Sequence, residues 1–588
     1  MFLKRHLRKK DGKKHTYYSL VETIRTSGGP RHRRVAYLGE MNSSSEMEWK
    51  KVVKVFNRDG TFRQLSLFAS DCGEVPEGES IAFVDVSRVR WERPRNFGDV
   101  FVATHLWKIL KLDEFFEQSF RDTERDVSWD KMVLISVTAR LLSPGSELSV
   151  EQFFYPQSAL DDLTGIAVGK VNTDRLYRLL DHVLPCKLDL EGHLKGKVGE
   201  LFNERFDLVL YDLTSTYFEG VYDGNDTLLH GYSRDHRPDC KQLVIGLVVT
   251  KKGLPFGYKI FPGNQSDVKS LTEIIVQMES SYGKADRIWV IDRGIVSEEN
   301  LKLLSEHKAL YLVGTPRSML KKYEQQLVDQ RDWEEVQEGI QVKMISTPDS
   351  SKETFILCKS ESRLKKEEAI HLRFERKIEE SLERLKNEKS ERKLFERLGR
   401  IKTQCSRVAR CYRIKVISTK SGPKLSWIRD EASLQYAKAS QGAYILRTNL
   451  VANDPKDLWS MYMQLNDAEA AFRNLKSDLK IRPVYHQKQD RIEAHILITF
   501  LAYVLWKTLD ELAKQKNVGL TARMILKTLH GIKSGDILLP LTDGKTLRLR
   551  RVSIPDKKQQ EILQKLGIQL PERLAPDTYD MAVSEMKM

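Results

Sequence analysis

The order of elements predicts a multidomain α/β protein. Apolar strand patterns at 207–212, 243–250 and 254–261 form a meander, the last two joined by the turn sequence Lys251-Lys252-Gly253. A helical pattern at 268–279, a strand at 287–292, a helix at 297–307 and a strand at 309–313 follow. Three meandering strands and then helix, strand, helix, strand is the order of an RNase H-like core. A second observation is that two of these strands run directly into an aspartate, Asp212 and Asp292. A third is that the pattern breaks off near 315 and resumes near 455, so an inserted segment divides the core.

The flanking segments follow in order. Residues 1–85 are expected to form a basic arm and a small β subdomain. Lys4, Arg5, Arg8, Lys9, Lys10, Lys13 and Lys14 precede strand patterns at 17–26 and 33–38, which flank the turn cluster Ser27-Gly28-Gly29-Pro30. The charged run reads as a solvated tail or as an arm on DNA phosphates. Helical patterns at 100–110, 129–142, 149–154 and 173–184 fill 96–201, which suits a DNA-binding domain or a plain helical packing domain. The core occupies 205–314 and 455–515. Between them, 315–450 reads as an insertion domain, with β-like pieces at 341–346, 354–358, 411–418 and 443–447 and one long charged helix at 361–400. Its apolar residues, Leu364 to Leu385, recur too irregularly for a coiled coil. Helix patterns at 458–479 and 492–512 return to the core, and 516–588 reads as a mixed C-terminal tail.

Charge narrows the function. The 97 Lys and Arg against 82 Asp and Glu leave a formal net charge of +15, which favours a polyanionic partner, nucleic acid first. The six cysteines (Cys72, Cys186, Cys240, Cys358, Cys405 and Cys411) form no CxxC pair and no zinc-spaced cluster, so a reducing, cytoplasmic setting is expected. No apolar segment of secretory type follows the basic start, and the longest apolar run, 496–506, is too short to span a bilayer. No membrane partner is expected. There is no GxxxxGK[ST] loop for an ATP-driven mechanism.

The chemistry is expected at the strand-end acids. A carboxylate at the end of a near-continuous apolar strand is costly to desolvate unless it is paired or bound to metal. A cap or an ion pair with Arg293 would explain one of them, but Asp212 and Asp292 stand in matching positions. Ligands gather at the carboxyl ends of strands in open α/β sheets. Two acids there, with a third from elsewhere, could hold two divalent ions for in-line displacement at phosphorus.

The stretch Tyr211-Asp212-Leu213-Thr214-Ser215-Thr216-Tyr217-Phe218, then Gly231-Tyr232-Ser233-Arg234-Asp235 with Arg237-Pro238-Asp239 and Gln242, resembles the first catalytic block of bacterial insertion-sequence transposases of the DDE class. Gly257 to Gly263-Asn264 and Asp267 resemble the block that follows, and Val290-Ile291-Asp292-Arg293-Gly294 the second catalytic block. Tyr462, Glu469 and Lys476 match the Y-R-E-K helix of one branch, with Leu465 in the place of its Arg. The resemblance covers about 205–510, and the branch's β-rich insertion accounts for 315–450. It implies an enzyme that binds terminal inverted repeats, hydrolyses a strand at each end with Mg2+ or Mn2+, two ions, and uses the freed 3′-OH for strand transfer. In this branch that hydroxyl typically forms a hairpin first. The implied partners are double-stranded DNA, as inverted-repeat ends and target, and a second copy in a homodimeric synaptic complex associated with the nucleoid. A hydrolytic RNase H-like nuclease and a non-catalytic DNA-binding protein are the alternatives.

Residues 462, 469 and 476 are seven apart, nearly two turns, so a continuous helix would carry all three on one face. Glu469 is then the third acid, with Asp212 and Asp292 the catalytic and metal-binding set, and Tyr462 and Lys476 fall on DNA phosphate. Arg473 and Arg482 are further phosphate candidates, because guanidinium forks match phosphate oxygens. Asp235, Asp239 and Asp267 read as ion-pair partners of Arg234 and Arg237, with help in binding metal or DNA as the alternative. His486 has no acid at metal spacing and reads as structural or as a phosphate contact. Trp427 and Trp333 compete as holders of a flipped base, against ordinary packing.

Overall fold

The computed structural model describes residues 2–10, 13–26, 29–40, 54–56, 62–64, 84–121, 126–204, 208–219, 225–233, 235–265, 267–282, 288–292, 297–329, 331–345, 353–419, 422–450, 454–465, 473–541, 544–572, 574 and 579–580. The chain divides into two compact units, one of residues 1–94, 534–552 and 572–588, the other of 95–533 and 553–571.

In the first unit the charged start is a strand. Phe2–Lys10, Lys13–Thr26 and Gly29–Glu40 form a three-stranded antiparallel sheet, and the register sets Lys9 opposite Lys14 and Lys10 opposite Lys13. The reading as a solvated tail is corrected here, since the basic start is paired into a sheet; a strand is compatible with an arm on DNA phosphates. A second sheet has the order Tyr579–Asp580, Thr546–Val552, Lys533–Pro540, Arg90–Asn96, so the segment read as a mixed tail supplies strands.

The second unit begins with helices α1 (Gly98–Ile109), α2 (Leu112–Ser119), α3 (Trp129–Leu142), α4 (Thr173–Val183) and α5 (Lys187–Phe202). The core follows with β1 (Leu208–Tyr217), β2 (Gln242–Thr250), β3 (Pro255–Pro262), α6 (Asp267–Tyr282), β4 (Ile288–Ile291), α7 (Glu298–Glu306) and β5 (Leu310–Gly314). These five strands lie in the order β3-β2-β1-β4-β5, with β1, β2 and β3 antiparallel and β1, β4 and β5 parallel. That is the RNase H arrangement. One face packs Tyr211, Trp289, Ile291 and Val313 against Leu271 and Ile274 of α6 and Leu301 and Leu304 of α7.

The inserted segment adds β6 (Glu334–Gln337), β7 (Ile340–Ile345), β8 (Thr354–Ser360) and β9 (Ala443–Thr448) to the same sheet, because β9 pairs antiparallel with β5. The expected single charged helix is two, α8 (Glu361–Leu385) and α9 (Glu391–Gln404), the second capped by Ser390. The apolar stripe explains the break: Ile378, Leu382 and Leu385 meet Leu394 and Leu398 in one buried cluster with the hairpin Tyr412–Thr419 and Gly422–Arg429. The chain returns through α10 (Pro455–Met463) to α11 (Gln489–Gln515). By length and composition α11 could cross a bilayer, yet 94% of its most apolar window is buried inside the unit. It packs on α3 and α4, while Phe500 meets Tyr258 of β3 and the Tyr503 hydroxyl donates to the Gly253 carbonyl at 3.1 Å.

Candidate active site

The register of the parallel strands places the acids. Tyr211 of β1 lies beside Ile291 of β4, which lies beside Val313 of β5. The next residue on each strand is Asp212, Asp292 and Gly314, so the backbones of the two aspartates are neighbours, about one strand spacing of ~4.8 Å apart. Asp212 is still within β1, opposite Leu247 of β2, and Asp292 is the first residue past β4 and is exposed. Glu469 and Asp467 lie outside the described residues.

Tyr462 reaches this edge from α10. The helix is started by Asp454, whose carboxylate accepts from the Lys456 amide, and by Pro455 in its first turn. Leu458 is buried, and the Trp459 indole donates to the Tyr444 hydroxyl of β9 at 2.7 Å, which fixes the helix on the sheet. The Tyr462 hydroxyl then donates to Asp292 Oδ1 at 3.4 Å. Gly314 makes the approach possible: a Cβ there would lie 2.3 Å from that hydroxyl. Sequence reasoning missed Gly314, since a lone glycine at a strand end carries no signal of what packs over it. Leu465, in the place of the branch's Arg, is buried, a position that suits an apolar side chain rather than a phosphate contact.

One continuous helix through residues 458–479 is not what forms. α10 ends at Met463 with Gln464 as its cap, and Asn474–Asp478 is a single π-helical turn. Tyr462 meets Asp292, while the Lys476 ammonium lies 2.7 Å from Asp235 Oδ1. Asp235 also pairs with Arg482 and is only 4% exposed at its side chain. Among the described residues its partners are thus Lys476 and Arg482 rather than Arg237, and Arg234 lies outside them. Arg473 is exposed. Asp239 does pair with Arg237, at 2.8 Å, and that guanidinium holds its carboxyl well down, to about 2. Arg237 and Arg482 both stand over the Tyr217 ring, at 5.0 and 5.8 Å.

His486 has the acid that its own neighbourhood in sequence lacks. Its Nε2 lies 3.3 Å from Glu147 Oε1, and its ring is 5.2 Å from that of His495. The three could share a cation by distance alone, all donor atoms lying within 4.8 Å of one another. Arg140, however, donates to His495 Nδ1 at 3.4 Å and to the Lys480 carbonyl at 3.3 Å, so a fixed positive charge already balances Glu147. Burial lowers Arg140 to about 10 and, together with the charge of Arg140, pushes His495 well below its ordinary 6.5. Burial works to raise Glu147, but its hydrogen bond and charge interaction with His486 outweigh that and hold it down. This cluster binds the helical layer to α11. Both tryptophans sit in insertion packing: Trp427 against the α8–α9 cluster with the Lys386 ammonium 4.8 Å above its ring, Trp333 donating to the Asp329 carbonyl at 2.9 Å.

Donor chemistry fits the expected ions. Adjacent aspartates are hard oxygen donors, suited to Mg2+ or Mn2+ and poorly suited to softer metals. Among the described residues Asp292 accepts a hydrogen bond from a neutral hydroxyl, that of Tyr462.

Comparison with known proteins identifies the family. The transposase DDE domain family matches residues 218–505, and the N-terminal domain of the IS1634 family of transposases matches residues 3–67. Together the two matches span more than half of the chain. No curated protein matches significantly. Among solved structures, the cryo-EM structure of the piggyBac transposase synaptic complex with hairpin DNA is similar at 8% identity and a TM-score of 0.35, over 77% of this chain and 82% of that one, too distant to carry an argument.

Proposed function

This chain is a DNA transposase of the DDE class, of the kind encoded by bacterial insertion sequences, and from that premise we propose that it cuts and joins DNA at the edge formed by Asp212, Asp292 and Glu469. The adjacency of the two aspartates across the parallel β1–β4 pair is the observation that carries the proposal. As a DDE enzyme it depends on divalent metal; two Mg2+ or Mn2+ ions held by these three acids are the proposed form. Bound there, such ions supply charge stabilisation to the attacking and leaving oxygens of an in-line displacement.

The rest of the machinery positions. Tyr462 donates to one oxygen of Asp292 and so fixes the carboxylate's rotation, and Gly314 gives it room. Arg473, Lys476 and Arg482 would hold phosphates of the bound end. The basic ladder of the first unit would contribute sequence-independent affinity along the flanking duplex. Under this reading the protein binds the terminal inverted repeats of its element, frees a 3′-OH at each end and joins it to target DNA, as a homodimer in the nucleoid-associated cytoplasm. Purified protein incubated with Mg2+ and a fragment carrying the element's ends tests this. Joined product is expected; nicked product alone would make it a nuclease, and binding without cleavage would make it a DNA-binding protein.

A further inference from the structure

The loop between β1 and β2 holds one tyrosine out in solvent. Tyr232 is 84% exposed, more than any other aromatic side chain among the described residues, and no hydrogen bond or ring contact among those residues engages its side chain. A lone exposed ring is ordinary on a protein surface. The backbone that carries this one is not. Gln242, 1% exposed at the start of β2, donates from Nε2 to the Tyr232 carbonyl at 3.1 Å and to the Gly263 carbonyl at 2.9 Å. The Gln242 amide donates to the Leu229 carbonyl at 3.1 Å, and the Gly263 amide to the Thr227 carbonyl at 3.0 Å.

Two glycines let these backbones close up. A Cβ on Gly231 would lie 2.1 Å from the Gly263 carbonyl oxygen, and one on Gly263 would lie 2.1 Å from that of Gln242. Beyond Tyr232, the Ser233 hydroxyl accepts from the Arg237 amide at 3.0 Å, and the Ser233 carbonyl from the His236 amide at 3.3 Å. The ring is presented from a braced backbone, so its hydroxyl meets a partner at little ordering cost. The same strands fix its distance from the chemistry. Tyr217 lies opposite Gln242, and Asp212, five residues back along β1, lies opposite Leu247. At ~3.3 Å per residue that is about 17 Å, or about five steps along a duplex strand at ~3.4 Å each.

We propose that Tyr232 is a DNA-contacting residue: its hydroxyl donates to one phosphate of the bound end, about four to eight nucleotides from the element's terminus, and its ring packs on the adjoining deoxyribose. Tyrosine hydroxyls are ordinary donors to phosphate, and such contacts set register without reading sequence. A hydrogen bond to a charged oxygen is of the stronger kind. The proposal rests on the reading of Asp212 as a catalytic acid, because that reading fixes where the cut lies. Contact at this distance gives the duplex a second fixed point, so the scissile phosphate is held along the helix axis as well as at the acids.

The test measures end binding by the full chain, without divalent metal, to duplexes that carry a single methylphosphonate at each position in turn on both strands. At one phosphate within the stated range, the neutral group should weaken wild type about tenfold. The same group should weaken Tyr232→Phe less than about twofold, because the hydroxyl that met it is already gone. On the unmodified end, Tyr232→Phe should bind about tenfold more weakly than wild type, and Tyr232→Ala more weakly still. Both variants should melt as wild type does, since the side chain is exposed. Additive penalties at every position overturn the proposal, as does coupling confined to phosphates more than about eight steps from the terminus. Altered self-association of DNA-free Tyr232→Ala with no coupled phosphate also overturns it, and makes the residue a protein contact. Cleavage with Mg2+ separates the two readings. If a phosphate couples but Asp212→Asn cleaves normally, the assignment of the acids has failed; if Asp212→Asn is inactive and no phosphate couples, only the role of Tyr232 has failed.

Discussion

Asp292 and Asp235 are two carboxylates whose surroundings are opposite. Asp292, just past β4, is exposed and hydrogen-bonds among the described residues to the neutral Tyr462 hydroxyl alone. Asp235, in the loop between β1 and β2, has a buried side chain and carries two cations. At an effective dielectric of ~20, a unit charge 4 Å away is worth about 4 kcal/mol. A cation fixed on Asp292 would thus compete directly with a metal ion, whereas the same cation on Asp235 removes the cost of a buried charge. On the proposed reading the acid kept for chemistry takes no cation among the described residues, whereas Asp235 takes two from within the chain.

The largest effect expected on this contrast is at the open end. Asp212→Asn and Asp292→Asn should each reduce cleavage at least about 10³-fold, several kcal/mol of barrier, while end binding changes little. Strong binding loss in parallel with cleavage would move these acids into the structural class.

Next in size is Gly314→Ala, whose added methyl would meet the Tyr462 hydroxyl at 2.3 Å. A 10- to 100-fold fall in cleavage is expected, on the order of 1.4–2.8 kcal/mol. Tyr462→Phe in the same chain should recover part of it by removing the closest atom. Recovery to no extent would mean that the clash acts elsewhere.

How far the sequence reaches differs between the two sites. The core strands, and the fact that two of them end in Asp, follow from local apolar runs and were legible. Asp235 and Lys476 lie 241 residues apart, and no periodicity links them. Glu147 and His486 likewise meet only through the packing of α4 and α11. The joining of β9 to β5 was hidden for the same reason, since its strand pattern is as compatible with a separate sheet. The pairing of the basic start was not legible, because the run from Phe2 to Lys10 shows no apolar alternation. The helix break before Ser390 was missed because a charged surface masks an apolar stripe that turns back on itself.

Smaller effects should be confined to stability. Leu382→Ala, in the cluster of α8, α9 and the hairpin, should cost about 2–4 kcal/mol in local unfolding by hydrogen exchange. Cleavage at permissive temperature should stay within about twofold of wild type, because the insertion core is separate from the strand-end acids. The buried cluster of Arg140, Glu147, His486 and His495 predicts a pH effect. His495 is held neutral in the fold, but an unfolded chain takes up a proton below about 6.5. Stability is then full above that pH and falls as pH drops through it, by at most about 1.4 kcal/mol per unit. His495→Leu should flatten melting temperature against pH between 6.5 and 5; an unchanged slope would place the titration elsewhere.

Metal binding itself tests the contrast most directly. Mn2+ titrated into the full-length protein and followed by electron paramagnetic resonance should bind to wild type. Asp292→Asn should lose at least about tenfold in affinity, the loss that even an outer-shell change brings, while Asp235→Asn should bind Mn2+ as wild type does. Equal Mn2+ affinity for wild type and Asp292→Asn would contradict the account.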